Sequence, residues 1–164
     1  ASPNPYLDRI RAMLHAQPGL PVELQVNISQ GELKKLYARA AVFWHFCGLN
    51  QSNPAQVEHF GMSTVEAMQN RCLPLVFDGG GQREIVDSGI SGYRFSSIGE
   101  LLTLTLKAIG DPGRREQLGR AAQLRGGDFT RAIFSNRVTG LFNGLAAAYA
   151  AGAPLAGPAP EAER

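Results

Sequence analysis

Short apolar stretches typical of buried strands alternate with helical stretches along this chain, and the alternation leaves few folds open. Residues 41–46 and Leu73–Phe77 are apolar runs of strand length, and Tyr93–Phe95 predicts a third strand. Residues 22–28 alternate apolar and polar side chains, as a half-buried strand does. Strands that alternate with helices favour a Rossmann-like, doubly wound parallel α/β sheet, with ligand sites beyond the carboxyl ends of the strands.

Helical signals fill the stretches between and after these strands. Helices are predicted over residues 5–15, 29–40, 98–109, 112–124 and 130–149, with a short helix that begins near residue 82. Asn4 and Pro5 are a typical N-cap and first-turn pair, and Ser29 fits the N-cap of the second helix. The order of strands and helices therefore supports the parallel sheet.

Composition bounds the size and the partners of the protein. With 164 residues, 44% of them hydrophobic, the chain can bury one core, so we predict one domain over residues 1–149 and an Ala- and Pro-rich flexible tail over residues 150–164. The net charge of +2 is too small to indicate a nucleic acid partner. No apolar run is long enough to cross a bilayer, and Cys47 and Cys72 suit reduced thiols. We expect a cytoplasmic protein, free or peripheral at the inner membrane face.

The most informative chemistry lies between two glutamates. Glu58 and Glu66 enclose the segment His-Phe-Gly-Met-Ser-Thr-Val. The amides of Gly61, Met62 and Ser63 are predicted to point out of a helix N-terminus, where unpaired amides and the helix dipole favour an anion such as a diphosphate. Carboxylates on either side suit the hydroxyls of a sugar or a ribose, because carboxylates are strong acceptors for O–H donors.

A purely structural interpretation fits the same segment. Ser63 and Glu66 have the spacing of a capping box, and residues 29–32 and 97–100 have the same form. The spacing alone leaves Glu66 open between a helix cap and a ligand-binding group. Glu58 precedes the helix, so no cap needs it, although an isolated loop carboxylate is more often simply solvated.

Further motifs extend on both sides of the glutamates. They are Ile28-Ser29-Gln30-Gly31-Glu32-Leu33, Leu36-Tyr37-Ala38-Arg39-Ala40, Leu73-Pro74-Leu75-Val76, Gly79-Gly80-Gly81-Gln82-Arg83-Glu84-Ile85-Val86, and Gly89 with Gly92-Tyr93. In order and spacing, this set resembles the C-terminal domain of family 4 glycosyltransferases, also called group 1, which have the GT-B fold. The resemblance covers most of residues 22–142.

The resemblance implies a reaction and a donor site. The reaction would be transfer of a sugar, typically a hexose, from a nucleotide-diphosphate sugar to an acceptor, with retention of anomeric configuration and without a metal. Glu66 would accept hydrogen bonds from the ribose, and Glu58 would face the transferred sugar, where its charge supports the positive charge that develops at the anomeric carbon. The diphosphate and the sugar hydroxyls would lie against the backbone amides of Phe60, Gly61, Met62 and Ser63.

Two further loops are candidates by the same resemblance. Asn27 and Ile28 would lie near the nucleobase, and Gly80 and Gly81 would approach the donor or the acceptor. Each loop has a structural alternative, because residues 27–29 fit an ordinary strand-to-helix turn and glycines permit positive φ wherever a strand turns sharply into a helix.

Three other side chains near these motifs are candidates for a role in the site or in the fold. His59, beside a glutamate, could shuttle a proton, but the family motif asks for no particular residue there. His45, at the end of a predicted strand, could line the cleft, although a packed strand-end histidine is the favoured interpretation. Glu84 fits an acid that complements a helix start.

The chain departs from the family pattern in three ways. The two strand–helix units that normally precede the one starting at Val22 are absent, and so are the basic residues that neutralise the diphosphate, which lie in the first of them. We therefore predict a piece of a longer enzyme, or a chain that needs a partner to complete its sheet, and no turnover by the isolated chain. Arg71 replaces a glycine that leaves the helix with positive φ, and is strained unless Asn70 takes the left-handed position.

Two other function classes stay open. The first is a nucleotide-sugar-binding or assembly module without catalysis, which the missing basic residues favour and the intact glutamate pair opposes. The second is a generic doubly wound nucleotide binder, which requires the glutamate spacing and the glycine turn to be coincidental. The partners expected for the enzyme are a nucleotide-sugar donor and a sugar, lipid-linked or other acceptor.

Overall fold

A computed structural model describes residues 4–152, and the chain divides into two compact units with the boundary between Lys35 and Leu36. Its helices and strands are α1 (Pro5–His15), α2 (Gln30–Arg39), β1 (Val42–His45), α3 (Met62–Gln69), β2 (Leu73–Phe77), α4 (Gln82–Ile85), β3 (Tyr93–Phe95), α5 (Ile98–Gly110), α6 (Pro112–Gly127) and α7 (Arg131–Ala150), with a 3-10 turn at Pro54–Gln56. The flexible tail predicted over residues 150–164 lies almost wholly outside the described residues. The single domain predicted over residues 1–149 stays a prediction.

Local capping explains the two helices that begin in the first unit. The Asn4 side chain accepts from Leu7 N–H at 3.1 Å and so caps α1. At the start of α2, Glu32 N–H donates to Ser29 Oγ (3.2 Å), and the Glu32 carboxylate accepts from Ser29 N–H (2.8 Å). This is the predicted capping box. The hydrogen bonds from Ser29 hold the pKa of Glu32 below its ordinary value.

The strand predicted over residues 22–28 is wrong. All seven residues are described, and none belongs to a strand. Val22 and Val26 are exposed, and the Val22 amide bonds locally to Leu20 O (2.8 Å). Alternating side chains make a strand only where the backbone groups can pair with a neighbouring strand. No strand in residues 4–152 pairs with this segment, and it stays irregular.

The second unit contains a three-stranded parallel sheet in the order β1-β2-β3. Each strand lies within two residues of its predicted bounds, and the parallel α/β sheet is confirmed. The central strand β2 is buried from Leu73 to Val76, as expected of a strand covered on both faces. Its side chains alternate between two clusters, with Val76 in one and Leu73 and Leu75 in the other.

Helices supply the rest of both clusters. The first cluster joins side chains of α3, β2, α4 and α6: Val65, Met68, Val76, Ile85, Val86 and Ala122. The second joins β2 and β3 to α5 and α6: Leu73, Leu75, Phe95, Leu101, Ala108 and Leu118. Because the strands are parallel, the loop after β1 and the turn after β2 leave the sheet at the same edge. These two connections carry the candidate site.

Helix α3 ends at a non-glycine residue in the left-handed conformation. Arg71 has φ 63° and Asn70 has φ −96°, so Arg71 itself takes the position that the sequence left open between them. Arg71 N–H bonds to Met68 O (2.9 Å) and Cys72 N–H to Ala67 O (3.1 Å), which is the Schellman pattern of helix ends. The Arg71 side chain donates to Gln123 Oε1 (2.8 Å).

Replacing Arg71 by glycine is expected to stabilise the fold. Glycine relieves the left-handed strain, which costs roughly 1–2 kcal/mol for an L-residue, and the gain exceeds what glycine loses in unfolded-state entropy. We expect a free energy of unfolding higher by about 0.5–1 kcal/mol in urea titrations. Arg71→Ala is the matched control, because it also removes the bond to Gln123 but keeps the strain. Equal stability of the two variants would show that the left-handed strain does not exceed the unfolded-state entropy that glycine loses, and would contradict this prediction.

Candidate functional site

The glycine turn after β2 packs directly against the backbone of the glutamate loop. Gly81 N–H donates to Glu58 O at 2.8 Å. A Cβ at Gly80, whose φ is 53°, would lie 2.2 Å from Glu58 O, and a Cβ at Gly81 would lie 2.3 Å from His59 O. Only a residue without a side chain allows so close an approach. Gly80 and Gly81 therefore hold the backbone of the glutamate loop, and their predicted approach to the donor or the acceptor stays a prediction.

The start of α3 lacks a side-chain cap. Gly61 is the N-cap residue with φ 101°, and no side chain bonds to the first amides of the helix. The first intrahelical bond runs from Val65 N–H to Gly61 O (3.1 Å), so the amides of Met62, Ser63 and Thr64 precede it. Ser63 lies inside the first turn, and a capping box between Ser63 and Glu66 is therefore not formed. Of the amides predicted to hold an anion, those of Met62 and Ser63 lack a helical partner, whereas the Phe60 amide donates to Glu58 Oε1 at 3.3 Å. The anion site itself stays a prediction.

Glu66 lies one turn into α3 and is half-buried. In the described part of the chain its carboxylate makes no hydrogen bond, whereas its backbone carbonyl accepts from Asn70 Nδ2 (2.8 Å). It faces an open cavity of about 410 Å³. The cavity is lined by Phe60, Met62, Val65, Glu66, Gln69, Phe129, Thr130 and Arg131. The carboxylate is thus available to a ligand, and the capping role that the spacing also allowed is wrong.

Glu58 is held at both carboxylate oxygens. Its side chain is 28% exposed, and Oε2 lies 3.3 Å from His45 Nε2. Oε1 accepts from Phe60 N–H at 3.3 Å. The structure thus places Glu58 at the carboxyl end of β1 and ahead of α3, where the sequence puts it. The sequence did not predict the contact with His45, because it favoured a packed strand-end histidine. The signal that could have indicated the contact is the place of His45 as the last residue of β1.

The other predicted residues divide between the two units. Asn27 and Ile28 lie in the first unit, in the turn before α2. Asn27 has φ 55°, a left-handed conformation that asparagine tolerates, and Ile28 is half-buried. Their predicted place near a nucleobase stays a prediction. In the second unit, Phe60 and His59 are exposed on the glutamate loop. The Phe60 ring packs edge-on against Phe129, with centroids 5.9 Å apart.

Metal-binding groups, membrane-spanning helices and reactive cysteines would each bear on function. Within residues 4–152 no group of three or more His, Cys, Asp or Glu side chains could hold a metal ion. None of the helices there is both long and apolar enough to cross a membrane. Cys47 is exposed and Cys72 is buried, and both are free thiols. Burial raises the pKa of Cys72 to about 11.

Comparison with known proteins decides the family. The model of the family described as "Glycosyl transferases group 1" matches residues 7–125, which is more than half of the chain. The chain belongs to this family. The predicted resemblance to group 1 glycosyltransferases is thereby confirmed at the level of the family and of the transferase class. None of the curated proteins matches this glycosyltransferase chain significantly.

Solved structures support the fold of the group 1 domain. One of them is a crystal structure of HepE from Anabaena in complex with UDP-glucose, which superimposes with a TM-score of 0.67 at 18% sequence identity. The match covers 85% of this chain and 37% of that chain. The likeness confirms the predicted GT-B type of α/β fold, and this chain spans little more than a third of the length of HepE.

Proposed function

We propose that this chain is the donor-binding part of a retaining, family 4 glycosyltransferase that uses a nucleotide-diphosphate sugar. The observation that carries the proposal is the uncapped start of α3 between two carboxylates. The Met62 and Ser63 amides have no intrahelical partner, and the Glu66 carboxylate is not used as a cap. Open amides at a helix N-terminus bind phosphates, and a free carboxylate binds hydroxyls.

The donor occupies the cavity beside α3 in this proposal. Its diphosphate lies over the first amides of the helix, and its ribose hydroxyls donate to Glu66. Arg131, which lines the same cavity, adds a positive charge for the diphosphate. HepE, with the same fold, is solved with UDP-glucose, which supports a nucleotide-sugar donor.

Glu58 faces the transferred sugar. Its carboxylate lies in the loop that leads into α3, so its charge is close to where the anomeric carbon lies when the diphosphate sits on the helix. A fixed negative charge at that point stabilises the developing oxocarbenium ion, and the family reaction retains configuration without a metal. We propose that this charge is the catalytic contribution of the chain.

The acceptor-binding site and part of the cleft belong to another part of a longer polypeptide or to a partner chain. Apolar surface on the second unit supports this part of the proposal. Trp44 on the edge strand β1 is 51% exposed, and none of the residues of α7, Arg131–Ala150, is buried. Surfaces of this kind mark interfaces in soluble proteins. The isolated chain is therefore expected to turn over no donor. We also propose that the assembled enzyme is cytoplasmic, free or at the inner membrane face.

Titration of nucleotides tests the donor site. We expect the full-length protein to bind UDP or GDP and the matching sugar conjugate in isothermal titration calorimetry. Glu66→Ala should weaken binding by about 1.5–3 kcal/mol, because a hydrogen bond to a charged group is lost. Glu84→Ala is the control, since Glu84 is an exposed glutamate at the start of α4.

Two results would count against the site. One is that no nucleoside diphosphate binds, and the other is that Glu66→Ala binds as tightly as Glu84→Ala. Binding that depends on Glu66 but comes without sugar transfer would favour the non-catalytic nucleotide-sugar-binding module.

A further inference from the structure

A buried line of side chains leads from the Glu58 carboxylate to the start of α3. His45 Nε2 lies 3.3 Å from Glu58 Oε2, and the His45 side chain is only 12% exposed. On the other side of the ring, Gln82 Nε2 lies 3.2 Å from His45 Nδ1 and donates to Thr64 Oγ1 at 3.0 Å. Gln82 and Thr64 are fully buried. β1, α3 and α4 each contribute one member, so the line ties three elements to the glutamate loop.

The chemistry of each partner fixes the direction of these bonds. An ionised carboxylate only accepts, so His45 Nε2 must carry the hydrogen that faces Glu58. In a neutral ring Nδ1 is then the acceptor, and the Gln82 amide nitrogen is the donor that it needs. The two N–H bonds of that nitrogen are both used, one toward His45 Nδ1 and one on Thr64 Oγ1. The amide thus selects the Nε2–H tautomer of His45.

The arrangement leaves the side-chain oxygen of Gln82 without a partner. Gln82 Oε1 is buried and has no hydrogen-bond partner among residues 4–152. A buried amide oxygen without a partner is rare and costly, so it requires an explanation. Turning the amide over would bring Oε1 against His45 Nδ1, and both ring nitrogens would then need hydrogens. The charged ring that results is disfavoured by burial, and the amide keeps its nitrogen toward the ring.

The charge state of His45 agrees with the geometry. Burial lowers the pKa of His45 below its ordinary value, and the neighbouring Glu58 carboxylate partly offsets that shift. Phe43, on the same strand, presents an aromatic ring with its centroid 6.1 Å from that of His45. Gln82 and Thr64 are neutral, so Glu58 is the charged group that faces the ring. A neutral histidine beside an ionised glutamate is the expected state near neutral pH.

We propose that His45 is the positioning residue of Glu58. Held by Gln82 as the neutral Nε2–H tautomer, it fixes one carboxylate oxygen while the Phe60 amide fixes the other. The assignment rests on the proposed function, in which Glu58 faces the transferred sugar. A carboxylate bound at both oxygens keeps one orientation, and its charge is in place before the donor arrives. The side chain of His45 need not touch the donor for this role.

Nitrogen-15 NMR of the histidine rings tests the arrangement without any substrate. In the full-length protein we expect His45 to be neutral and protonated at Nε2 near neutral pH. Its pKa should lie below the ordinary value of histidine, because the ring is buried. Glu58→Gln should lower the pKa of His45 further, because the carboxylate that raises it is gone. A His45 that carries its hydrogen on Nδ1, or whose pKa does not respond to Glu58→Gln, would overturn the proposal.

Kinetics of sugar transfer test the consequence for Glu58. His45→Phe keeps an aromatic ring but removes both nitrogens, and we expect kcat to fall by about 10-fold to 100-fold, with KM for the donor changed by less than about 3-fold. His45→Gln can place an N–H near Glu58 and should recover part of kcat. His59→Phe is the matched control and should keep the parent rate. Thermal melting shows whether each variant is folded.

The two experiments separate failure of this proposal from failure of the proposed function. If the parent protein transfers no sugar but His45 shows the expected tautomer and response to Glu58→Gln, the enzyme assignment fails and the buried pairing stands. If the parent is active and folded His45→Phe keeps its kcat, His45 does not position Glu58. A loss of kcat in His45→Phe without any recovery in His45→Gln would also contradict the role, because the donated hydrogen would then not be what matters.

Discussion

Replacing Glu58 by glutamine lowers kcat for sugar transfer by about 10²-fold to 10³-fold in the full-length protein, the range found when one electrostatic contribution is removed from an active site. The variant keeps the shape of the side chain and an oxygen that can accept from the Phe60 amide. It loses the charge that supports the developing oxocarbenium ion. Donor affinity should change by less than about 3-fold, because the diphosphate and the ribose bind elsewhere.

Initial rates with a radiolabelled donor measure this effect. Glu84→Gln is the control, because it removes one exposed carboxylate at the start of α4 and should keep the parent rate. A Glu58→Gln variant with the parent kcat and unchanged donor affinity would show that the charge of Glu58 has no part in the reaction. The chain would then be better described as a binding module.

Replacing Gly81 by alanine is expected to destabilise the fold by about 3 kcal/mol, at the upper end of what overpacking costs. The new methyl group would meet only backbone atoms: His59 O at 2.3 Å, His59 C at 2.7 Å and Phe60 Cα at 2.8 Å. Backbone cannot turn aside as a flexible side chain can, so the glutamate loop or the turn must move. The bond from Gly81 N–H to Glu58 O is stretched as a consequence.

Urea denaturation followed by circular dichroism measures the loss of stability, and calorimetry with the nucleotide measures the effect on the site. Gly99→Ala is the matched control, because the nearest atom to a Cβ there is 4.0 Å away and the position lies in the first turn of α5. It should be neutral or slightly stabilising. A Gly81→Ala variant as stable as Gly99→Ala would show that the turn does not hold the glutamate loop.

Much of the second unit is predictable because its signals are local. β2 is a run of five residues that is buried over its first four, and its apolar composition and short length predict a buried strand. The helix start at Ser97, like the one at Ser29 in the first unit, follows from a side chain that bonds within four residues of its own position. Signals of this kind do not depend on what the rest of the chain does.

The failures have tertiary causes. Residues 22–28 show the alternation of a strand, but a strand also needs a neighbour with which to pair, and that cannot be read from the segment itself. Ser63 and Glu66 have the same spacing as a true capping box. Gly61, with φ 101°, takes the N-cap position instead. The local pattern is the same in both cases, and the conformation of one glycine decides between them.

The candidate site was predictable in its residues but not in its contacts. The spacing of Glu58 and Glu66 and the glycine turn identify the loops involved. The approach of His45 to Glu58 joins residues 13 positions apart. Gln82, at the start of α4, contacts His45 across 37 positions of the sequence. Such contacts depend on the register of parallel strands, for which a single sequence carries no direct signal.

The donor site is tested by a crystal structure of the full-length protein with UDP or GDP bound, whichever nucleotide binds in the titration. We expect diphosphate oxygens within hydrogen-bonding distance of the Met62 and Ser63 amides, and a ribose hydroxyl on the Glu66 carboxylate. A nucleotide bound away from the start of α3, with Glu66 left in solvent, would contradict this expectation.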